Sequence, residues 1–523
     1  TWLAIGASIF ASNIGSEHLI GLAGAGASSG MAMAHWEIQG WMILILGWVF
    51  VPFYTRSMVY TMPEFLERRY NPQSRTILSV ISLVSYVLTK VAVTVYAGGL
   101  VFQQVFGIKE LWGIDFFWIA AIGLVVLTAL YTIFGGMKSV LYTSVLQTPI
   151  LLLGSLIILV LGFKELGGWD EMMRVCGAVT VNDYGDTMTN LIRSNDDANF
   201  PWLGALIGSA IIGFWYWCTD QFIVQRVLSG KNEMEARRGT IFGAYLKLLP
   251  VFLFLIPGMI AFALHQKYIG AGGEGFLPML ENGTANADAA FPTLVAKLLP
   301  AGVKGLVVCG ILAALMSSLA SLFNSSAMLF TIDFYKRFRP QTSEKKLVGI
   351  GQVATVVIVI LGILWIPIMR SVGDVLYTYL QDVQSVLAPG IAAAFLLGIC
   401  WKRTSAQGGM WGLISGMVIG LTRLGAKVYY SNAGEVADST FKYLFYDMNW
   451  LFFCGWMFLF CIIVVIVVSL ATEAPTAEKI QGLVFGTATK EQKASTRASW
   501  NHWDIIHTVI ILAITGAFYW YFW

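Results

Sequence analysis

Long apolar segments recur along the whole chain, and their length leaves few architectures open. If about 20 apolar residues make one bilayer crossing, the sequence predicts thirteen helices, at about 3–29, 33–55, 73–106, 115–133, 137–163, 201–227, 236–265, 299–337, 347–369, 374–400, 406–430, 448–471 and 504–522. Only 12% of the residues are charged, against about 25% in soluble proteins. Because hydrocarbon leaves no partner for an unpaired peptide group, an all-α polytopic membrane protein is expected.

Charge and cysteine content disfavour several other classes. The net charge is only +3, and no basic block indicates a nucleic-acid partner. Six cysteines lie mostly within apolar segments, without CxxC or metal-ligand spacing, so no disulfide framework or zinc site is predicted. An enzyme is disfavoured because the chain has no large soluble domain, nucleotide loop or catalytic-triad spacing.

The distribution of basic residues predicts an orientation in the cell membrane. If the first helix enters from the cytoplasm, the cytoplasmic connections carry about twice as many Lys and Arg residues as the opposite side, as the positive-inside rule requires. The polar stretches 165–200 and 266–298 then face outside. Asn282, in the sequence Asn-Gly-Thr, fits a glycosylation acceptor on that face.

Polar residues interrupt the first predicted helix at mid-depth, where residues 11–18 read ASNIGSEH. A central charge costs about 2.5–3.5 kcal/mol in a membrane helix, so we expect the helix to break there. Transporters use such breaks to coordinate Na⁺ and solute through half-helix ends and carbonyls. The alternative is a Gly-rich packing helix, because small residues also serve helix contacts.

A second interruption is predicted in helix six, where residues 213–221 read GFWYWCTDQ. Aromatic residues within a membrane are commonly core, but Thr219, Asp220 and Gln221 follow at once. A flat aromatic surface suits the C–H face of a sugar ring, and the polar neighbours suit its hydroxyls. The pattern therefore favours a wet, solute-binding cavity.

Other polar side chains lie inside different predicted helices. Glu37, Lys247, Gln381 and Gln384 supply one acid, one base and two amides. This mixture suits an uncharged, hydroxyl-rich ligand, because each hydroxyl both donates and accepts. A structural ion pair between Glu37 and Lys247 is the alternative. Lys90 has no evident partner and receives no role.

Helix eight contains two adjacent serines that could contribute to a sodium site. Ser residues in membrane helices often bond to their own backbone, so the pair alone is weak evidence. Ser317 and Ser318 adjoin Ala314, and Na⁺ takes oxygen ligands. The two hydroxyls, with the carbonyls of Ala11, Ile14 and Ala314, would provide five.

Helices one to five and six to ten form two similar halves, each opening with an interrupted helix. An odd number of crossings per half inverts the second half, as in alternating-access transporters. We predict a first repeat at 1–164, an extracellular loop at 165–200, a second repeat at 201–400 and C-terminal accessory helices at 401–523, with a cytoplasmic loop at 472–503.

Several long motifs resemble the sodium/glucose cotransporter family, within the sodium:solute symporters: GASIFASNIGSEHLIGLAGAGASSG, TMPEFLERRY, WYWCTDQFIVQR, LMSSLASLFNSS and FLLGICWKR. The resemblance implies the leucine-transporter-like five-plus-five inverted repeat. It also implies a family first helix before Thr1, which makes fourteen in all.

The resemblance also implies roles for individual residues. The solute contacts are Asn13, His18, Glu37, Tyr216, Trp217, Lys247 and Gln381. The gates are Leu22, Trp36, Tyr216 and Tyr377, with Tyr216 on the inner side. The sodium ligands are Ala11, Ile14, Ala314, Ser317 and Ser318.

We therefore expect a symporter that imports a neutral hexose, glucose or galactose, by alternating access, with Na⁺, a monosaccharide and the lipid bilayer as its partners. Ala320 and Ser144 stand where members with a second sodium site carry Thr and Asp, so one Na⁺ per sugar is expected. The alternatives are a symporter for myo-inositol or another polyol, and a sugar-gated membrane sensor.

Overall fold

The computed structural model describes residues 1–15, 17–59, 61–280, 283–372, 375–433 and 437–523, without the side chains of 131, 133–148 and 369–372. The predicted glycosylation acceptor Asn282 and the side chain of Ser144 lie outside this set. The described chain is mostly helical. Its α-helices are α1 Trp2–Asn13, α2 Ala23–Ser29, α3 Ala34–Glu37, α4 Gly40–Ile45, α5 Val51–Ser57, α6 Met62–Arg69, α7 Pro72–Ser85, α8 Ala92–Phe106, α9 Phe116–Leu166, α10 Trp169–Gly177, α11 Trp202–Gly213, α12 Gln221–Leu228, α13 Glu233–Leu246, α14 Ile256–Gly270, α15 Ala290–Leu298, α16 Ala301–Met328, α17 Lys336–Phe338, α18 Glu344–Val372, α19 Leu376–Cys400, α20 Ala406–Asn432, α21 Thr440–Lys442, α22 Trp450–Ala471, α23 Ala477–Ile480, α24 Lys490–Ala498 and α25 His502–Tyr521.

Short π-helical and 3₁₀ segments join many of these helices. The π-helical turns are Glu17–Leu22, Leu46–Phe50, Tyr86–Val91, Phe214–Thr219, Val251–Leu255, Leu329–Tyr335 and Tyr443–Asp447, and the 3₁₀ turns are Gly30–Met33 and Ala287–Ala289. Strands β1 Glu110–Leu111 and β2 Ile114–Asp115 form a small antiparallel hairpin. π-Helical turns within helices are rare and occur often at functional sites.

Ten segments of the described chain are long and apolar enough to cross a membrane. They are Glu17–Ser57, Pro72–Phe106, Pro149–Leu166, Trp202–Thr219, Glu233–Gly270, Ala301–Phe338, Glu344–Ile368, Leu376–Cys400, Trp450–Ala471 and His502–Tyr521, with shorter apolar helices at Trp2–Asn13 and Phe116–Leu130. This number differs from the thirteen predicted helices partly because the first predicted helix is interrupted. Its first half is the short helix Trp2–Asn13, and its second half is continuous with the second predicted helix in the segment Glu17–Ser57. The eleventh predicted helix corresponds to α20, a Gly-rich helix that is not among the ten segments.

The largest difference from the sequence prediction lies in α9. The separate helices predicted at 115–133 and 137–163 are one continuous helix of 51 residues, about 76 Å long at 1.5 Å per residue. The predicted boundary at Gly135 and Gly136 was wrong. Glycine costs about 1 kcal/mol inside a helix but keeps its N–H, so the pair weakens the helix without ending it.

Both predicted helix interruptions are confirmed. α1 ends at Asn13, Ile14 has an extended backbone (φ −80°, ψ 98°), and the chain continues as the π-helical turn Glu17–Leu22. In the second interruption, Asp220 is extended (φ −74°, ψ 126°) between the turn Phe214–Thr219 and α12. Each break therefore falls where polar residues replace the apolar sequence.

Small residues allow the helices around these breaks to approach closely. A Cβ at Gly258 in α14 would lie 1.9 Å from the carbonyl oxygen of Ala23 in α2. Gly390 in α19 and Gly416 in α20 meet backbone to backbone in the same way. Such contacts are typical of membrane helices, which associate by close packing rather than by burial from water.

Candidate functional site

A narrow cavity lies beside the two helix breaks. The volume of the cavity that water molecules can occupy is about 40 Å³, which is enough for about three waters. The lining residues come from widely separated parts of the sequence: Asn13, Glu17, His18, Trp36, Gln39, Thr89, Lys90, Val93, Ile212, Gly213, Tyr216, Trp217, Lys247, Tyr377, Leu380, Gln381 and Gln384. Six of the seven predicted solute contacts are among them.

The seventh predicted contact, Glu37, lies behind the cavity wall and is completely buried. Lys247 Nζ donates to its Oε2 at 2.6 Å, and Tyr377 Oη donates to its Oε1 at 2.5 Å. His18 Nε2 lies 3.2 Å from Oε2. The structural ion pair that the sequence left open is therefore present. Its lysine and histidine also face the cavity, so Glu37 orients side chains that line it.

Several polar atoms around the cavity are buried without a hydrogen-bond partner in the described part of the chain. They include His18 Nδ1, Trp36 Nε1 and Gln381 Oε1. Leaving such an atom unpaired costs about 1–3 kcal/mol. A hydroxyl-rich ligand in the cavity could offer the missing partners.

The predicted gate residues occupy different positions. Trp36, Tyr216 and Tyr377 line the cavity, whereas Leu22 is fully buried and is not among the lining residues. Trp36 stacks on Trp450 with ring centroids 5.5 Å apart. Tyr377 is held by its bond to the Glu37 carboxylate, so the orientation of the ring is tied to the buried ion pair.

Lys90, which received no role from the sequence, has a partner across the cavity wall. Its Nζ lies 2.8 Å from Asp220 Oδ2 at the second break. Tyr86 Oη donates to Asp220 Oδ1 at 3.0 Å, and the N–H of Phe222 donates to the same oxygen at 3.1 Å. Asp220 thus caps α12 and binds Lys90 at once. Asp220 stood within the polar stretch of helix six, but nothing local connected it with Lys90.

Glu17 and Gln384 also line the cavity, although neither was among the predicted solute contacts. Glu17 carried a signal in the sequence, because it is a charged residue beside a predicted break. Gln384 was noted as a membrane amide, but only the helix packing decides that it lies beside the cavity.

The predicted sodium ligands lie on α1 and α16, which contact each other. Ala11 is in the last turn of α1 and Ile14 directly follows it. A Cβ at Gly15 would lie 2.8 Å from Ser318 Oγ, so this hydroxyl reaches the broken backbone. Ser318 Oγ is buried and has no hydrogen-bond partner among the described residues. The break and this oxygen suit a small cation.

A buried carboxyl group, Asp288, lies beside the half-helix that follows the first break and outside the membrane-spanning segments. Asp288 accepts the N–H of Leu376, the first residue of α19, at 3.2 Å. A Cβ at Gly24 in α2 would lie 2.5 Å from Asp288 Oδ1. Burial raises the pKa of Asp288 to about 7. The segment 287–289 therefore links the half-helix after the first break to the start of α19.

A family model described as the sodium:solute symporter family matches residues 1–416. The chain belongs to the sodium:solute symporter family. It is 37% identical to sodium/myo-inositol cotransporter 2 of Homo sapiens over 499 residues, 93% of this chain and 73% of that protein. It is likewise 37% identical to the sodium/myo-inositol cotransporter of Canis lupus familiaris over 508 residues, 93% of this chain and 70% of that protein.

Solved structures show the fold. A substrate-bound, outward-open Na⁺-coupled sialic acid symporter matches with a TM-score of 0.67 at 21% identity, over 91% of each chain. Inward-facing Mhp1 matches with a TM-score of 0.50 at 14% identity, over 96% of this chain and 94% of Mhp1. This symporter is an all-α, multi-pass membrane protein with the leucine-transporter-like five-plus-five inverted repeat and additional C-terminal helices.

Proposed function

We propose that the protein imports a neutral polyol, myo-inositol, together with Na⁺ by alternating access. The observation that carries the proposal is the cavity beside the two helix breaks, with buried polar atoms of Gln381 and His18 that have no hydrogen-bond partner in the described chain. Membership of the sodium:solute symporters and relatives named sodium/myo-inositol cotransporters support it.

The charge arrangement supports a neutral solute. The ammonium groups of Lys90 and Lys247 lie 2.8 and 2.6 Å from the carboxylates of Asp220 and Glu37. Each lysine that lines the cavity is thus matched by an anion, and the carboxylate of Glu17 lies beside the first break, where Na⁺ is proposed to bind. This arrangement suits a solute without net charge. The ring hydroxyls of myo-inositol each donate and accept, as the mixed donors and acceptors of the wall require.

Glucose or galactose, the solute expected from the sequence, is the competing hypothesis, since the aromatic walls formed by Tyr216 and Trp217 suit either ring. The relatives support the polyol instead. Asn13, His18, Tyr216, Trp217, Lys247 and Gln381 are proposed as direct contacts, and Glu37 acts through His18, Lys247 and Tyr377.

Na⁺ is proposed as the second substrate, held by the carbonyls of Ala11, Ile14 and Ala314 and the hydroxyls of Ser317 and Ser318. It would bridge α1 and α16. To shift the equilibrium between states it must bind one of them more tightly. We propose that this is the outward-open state, in which Leu22, Trp36 and Tyr377 then close over the solute and Tyr216 later yields toward the cytoplasm.

One Na⁺ per solute is proposed, because Ala320 contributes no side-chain oxygen at the second-site position. One charge crossing about 100 mV yields about 2.3 kcal/mol, and a tenfold gradient yields about 1.4 kcal/mol. Together these would accumulate a neutral solute on the order of 500-fold.

Uptake of labelled myo-inositol into proteoliposomes tests the proposal. We expect accumulation against a gradient that depends on Na⁺, with unlabelled myo-inositol competing better than glucose or galactose. Stronger competition by glucose or galactose than by myo-inositol would favour the hexose hypothesis. Current without uphill accumulation would indicate a sensor, and a reversal potential for two Na⁺ ions would overturn the stoichiometry.

A further inference from the structure

Glu17 lies between the two proposed binding regions. It opens the π-helical turn that follows the first break, and its side chain lines the cavity with Asn13 and Lys90. None of the proposed sodium ligands or solute contacts includes it. A charged residue at mid-depth in a membrane protein is costly and commonly marks an ion or substrate path.

The space around Gly15 shows how close Glu17 comes to the proposed ion. A Cβ at Gly15 would lie 2.6 Å from Glu17 Oε2 and 2.8 Å from Ser318 Oγ. Both oxygens therefore lie within 3 Å of one point at the broken backbone. Glycine at this position leaves that point open, and a small cation beside Ser318 would be within a few ångström of the carboxylate.

The charges of the wall are consistent with this placement. Glu17 interacts electrostatically with Lys90 and Lys247, but both ammonium groups lie within hydrogen-bonding distance of other carboxylates, those of Asp220 and Glu37. Glu17 is itself a lining residue of the cavity and lies beside the first break, whereas Glu37 and Asp220 are not among the lining residues.

A carboxylate has two oxygens and accepts several hydrogen bonds. One oxygen of Glu17 can face the break while the other faces the cavity. We propose that Glu17 is shared by both substrates: it stabilises Na⁺ at the first break and accepts a hydrogen bond from a solute hydroxyl. Ion binding is then transmitted to solute affinity through one side chain. This inference rests on the proposed function.

Coupling between the two substrates is reciprocal, because each must change the affinity for the other by the same factor. The test therefore measures solute affinity as a function of Na⁺ in Glu17→Gln, which keeps the size and loses the charge. We expect the half-saturating Na⁺ concentration to rise at least tenfold. We also expect the Na⁺ dependence of the solute KM to shrink to less than half of its normal range.

Direct ion binding supplies a readout apart from transport. The rise in melting temperature that Na⁺ produces in detergent, without solute, should require at least tenfold more Na⁺ in Glu17→Gln. Glu17→Asp keeps the charge and should need less Na⁺ than Glu17→Gln. Glu171→Gln, at an exposed carboxylate paired with Arg174, is the control and should behave as the unaltered protein.

The outcomes separate this inference from the proposed function. If uptake by the unaltered protein does not depend on Na⁺, the proposed function fails. If that uptake depends on Na⁺ but Glu17→Gln retains its Na⁺ affinity and coupling within twofold, only the role of Glu17 is overturned. Should Glu17→Gln not fold, Glu17→Ala is measured in the same way, with the same two criteria.

Discussion

The two helix breaks are alike in backbone and opposite in how their polar groups are satisfied. At the second break, Asp220 caps α12 and bonds to Tyr86 and Lys90, so both carboxylate oxygens have partners. At the first break, Ile14 is extended and the nearby Ser318 Oγ has no hydrogen-bond partner within the described residues. One break is completed by the protein itself, and the other offers oxygen to a ligand.

This difference predicts different functions for the two helix breaks. A buried polar network that is fully satisfied makes a region rigid, whereas an unsatisfied buried oxygen costs free energy until something binds. The first break is therefore suited to ion binding, and the second to carrying Tyr216 as a gate on a fixed support. Substitutions at the two breaks should affect different measurements.

The largest expected effect is the loss of stability on removing the carboxylate from the second break. Asp220→Ala leaves Lys90 buried without its ion-pair partner, which typically costs about 3–5 kcal/mol. The melting temperature in detergent should fall accordingly. Asp438→Ala, which breaks the exposed pair with Lys442, is the control and should change stability by about 0–1 kcal/mol. Equal effects of both variants would remove the contrast between the breaks.

A pH-dependent effect is expected beside the first break, at Asp288. With its pKa raised to about 7 from an unfolded value of about 4, the folded chain retains a proton that the unfolded chain loses. Stability should therefore fall as the pH rises from about 4 to 7 and stay level above that range. Asp288→Asn keeps an acceptor for the Leu376 N–H and removes this penalty.

The measurement is the melting temperature of both proteins at pH 5 and pH 8. Asp288→Asn should be more stable than the unaltered protein at pH 8 by about 2–4 kcal/mol, with the difference shrinking at pH 5. A difference of the same size at both pH values would contradict titration of Asp288.

A smaller effect is expected on solute affinity. Gln381→Ala removes the buried carboxamide, whose Oε1 lies beside the cavity without a partner in the described residues, and so removes a hydrogen bond to solute worth about 1.5 kcal/mol. The solute KM should rise about tenfold, with the half-saturating Na⁺ concentration unchanged. Unaltered solute affinity would count against direct contact.

The mildest variant, Ser318→Ala, should isolate the ion site at the first break. Na⁺ affinity should weaken by up to tenfold, because one of five proposed oxygen ligands is lost, and the fold should be retained, since no described residue bonds to Ser318 Oγ. Ser326→Ala removes another buried, unpartnered hydroxyl from the same helix α16 and is the matched control. Equal Na⁺ affinity in both variants would remove Ser318 from the site.

Much of the site could be predicted from the sequence because its signals are local. The stretches ASNIGSEH and GFWYWCTDQ place polar groups in apolar segments, and the two helix breaks follow from that conflict. The boundary within α9 could not be predicted in the same way, because paired glycines weaken a helix without deciding whether neighbouring elements hold it together.

The pairing of buried charges could not be predicted from the sequence. Lys90 and Asp220 are separated by 130 positions, and Glu37 and Lys247 by 210. No local pattern says which buried acid meets which base, so Lys90 had no apparent partner. The closeness of Glu17 to Ser318 at the first break depended in the same way on the packing of a distant helix.

The sequence by itself determined a membrane-embedded helical chain with two breaks, because hydrophobicity and the hydrogen-bonding demand of the backbone are properties of each segment. The tertiary structure decided which polar groups satisfy one another and which remain open to a ligand. That choice depends on the packing of helices far apart in the chain, where a few ångström separate a completed ion pair from a binding site.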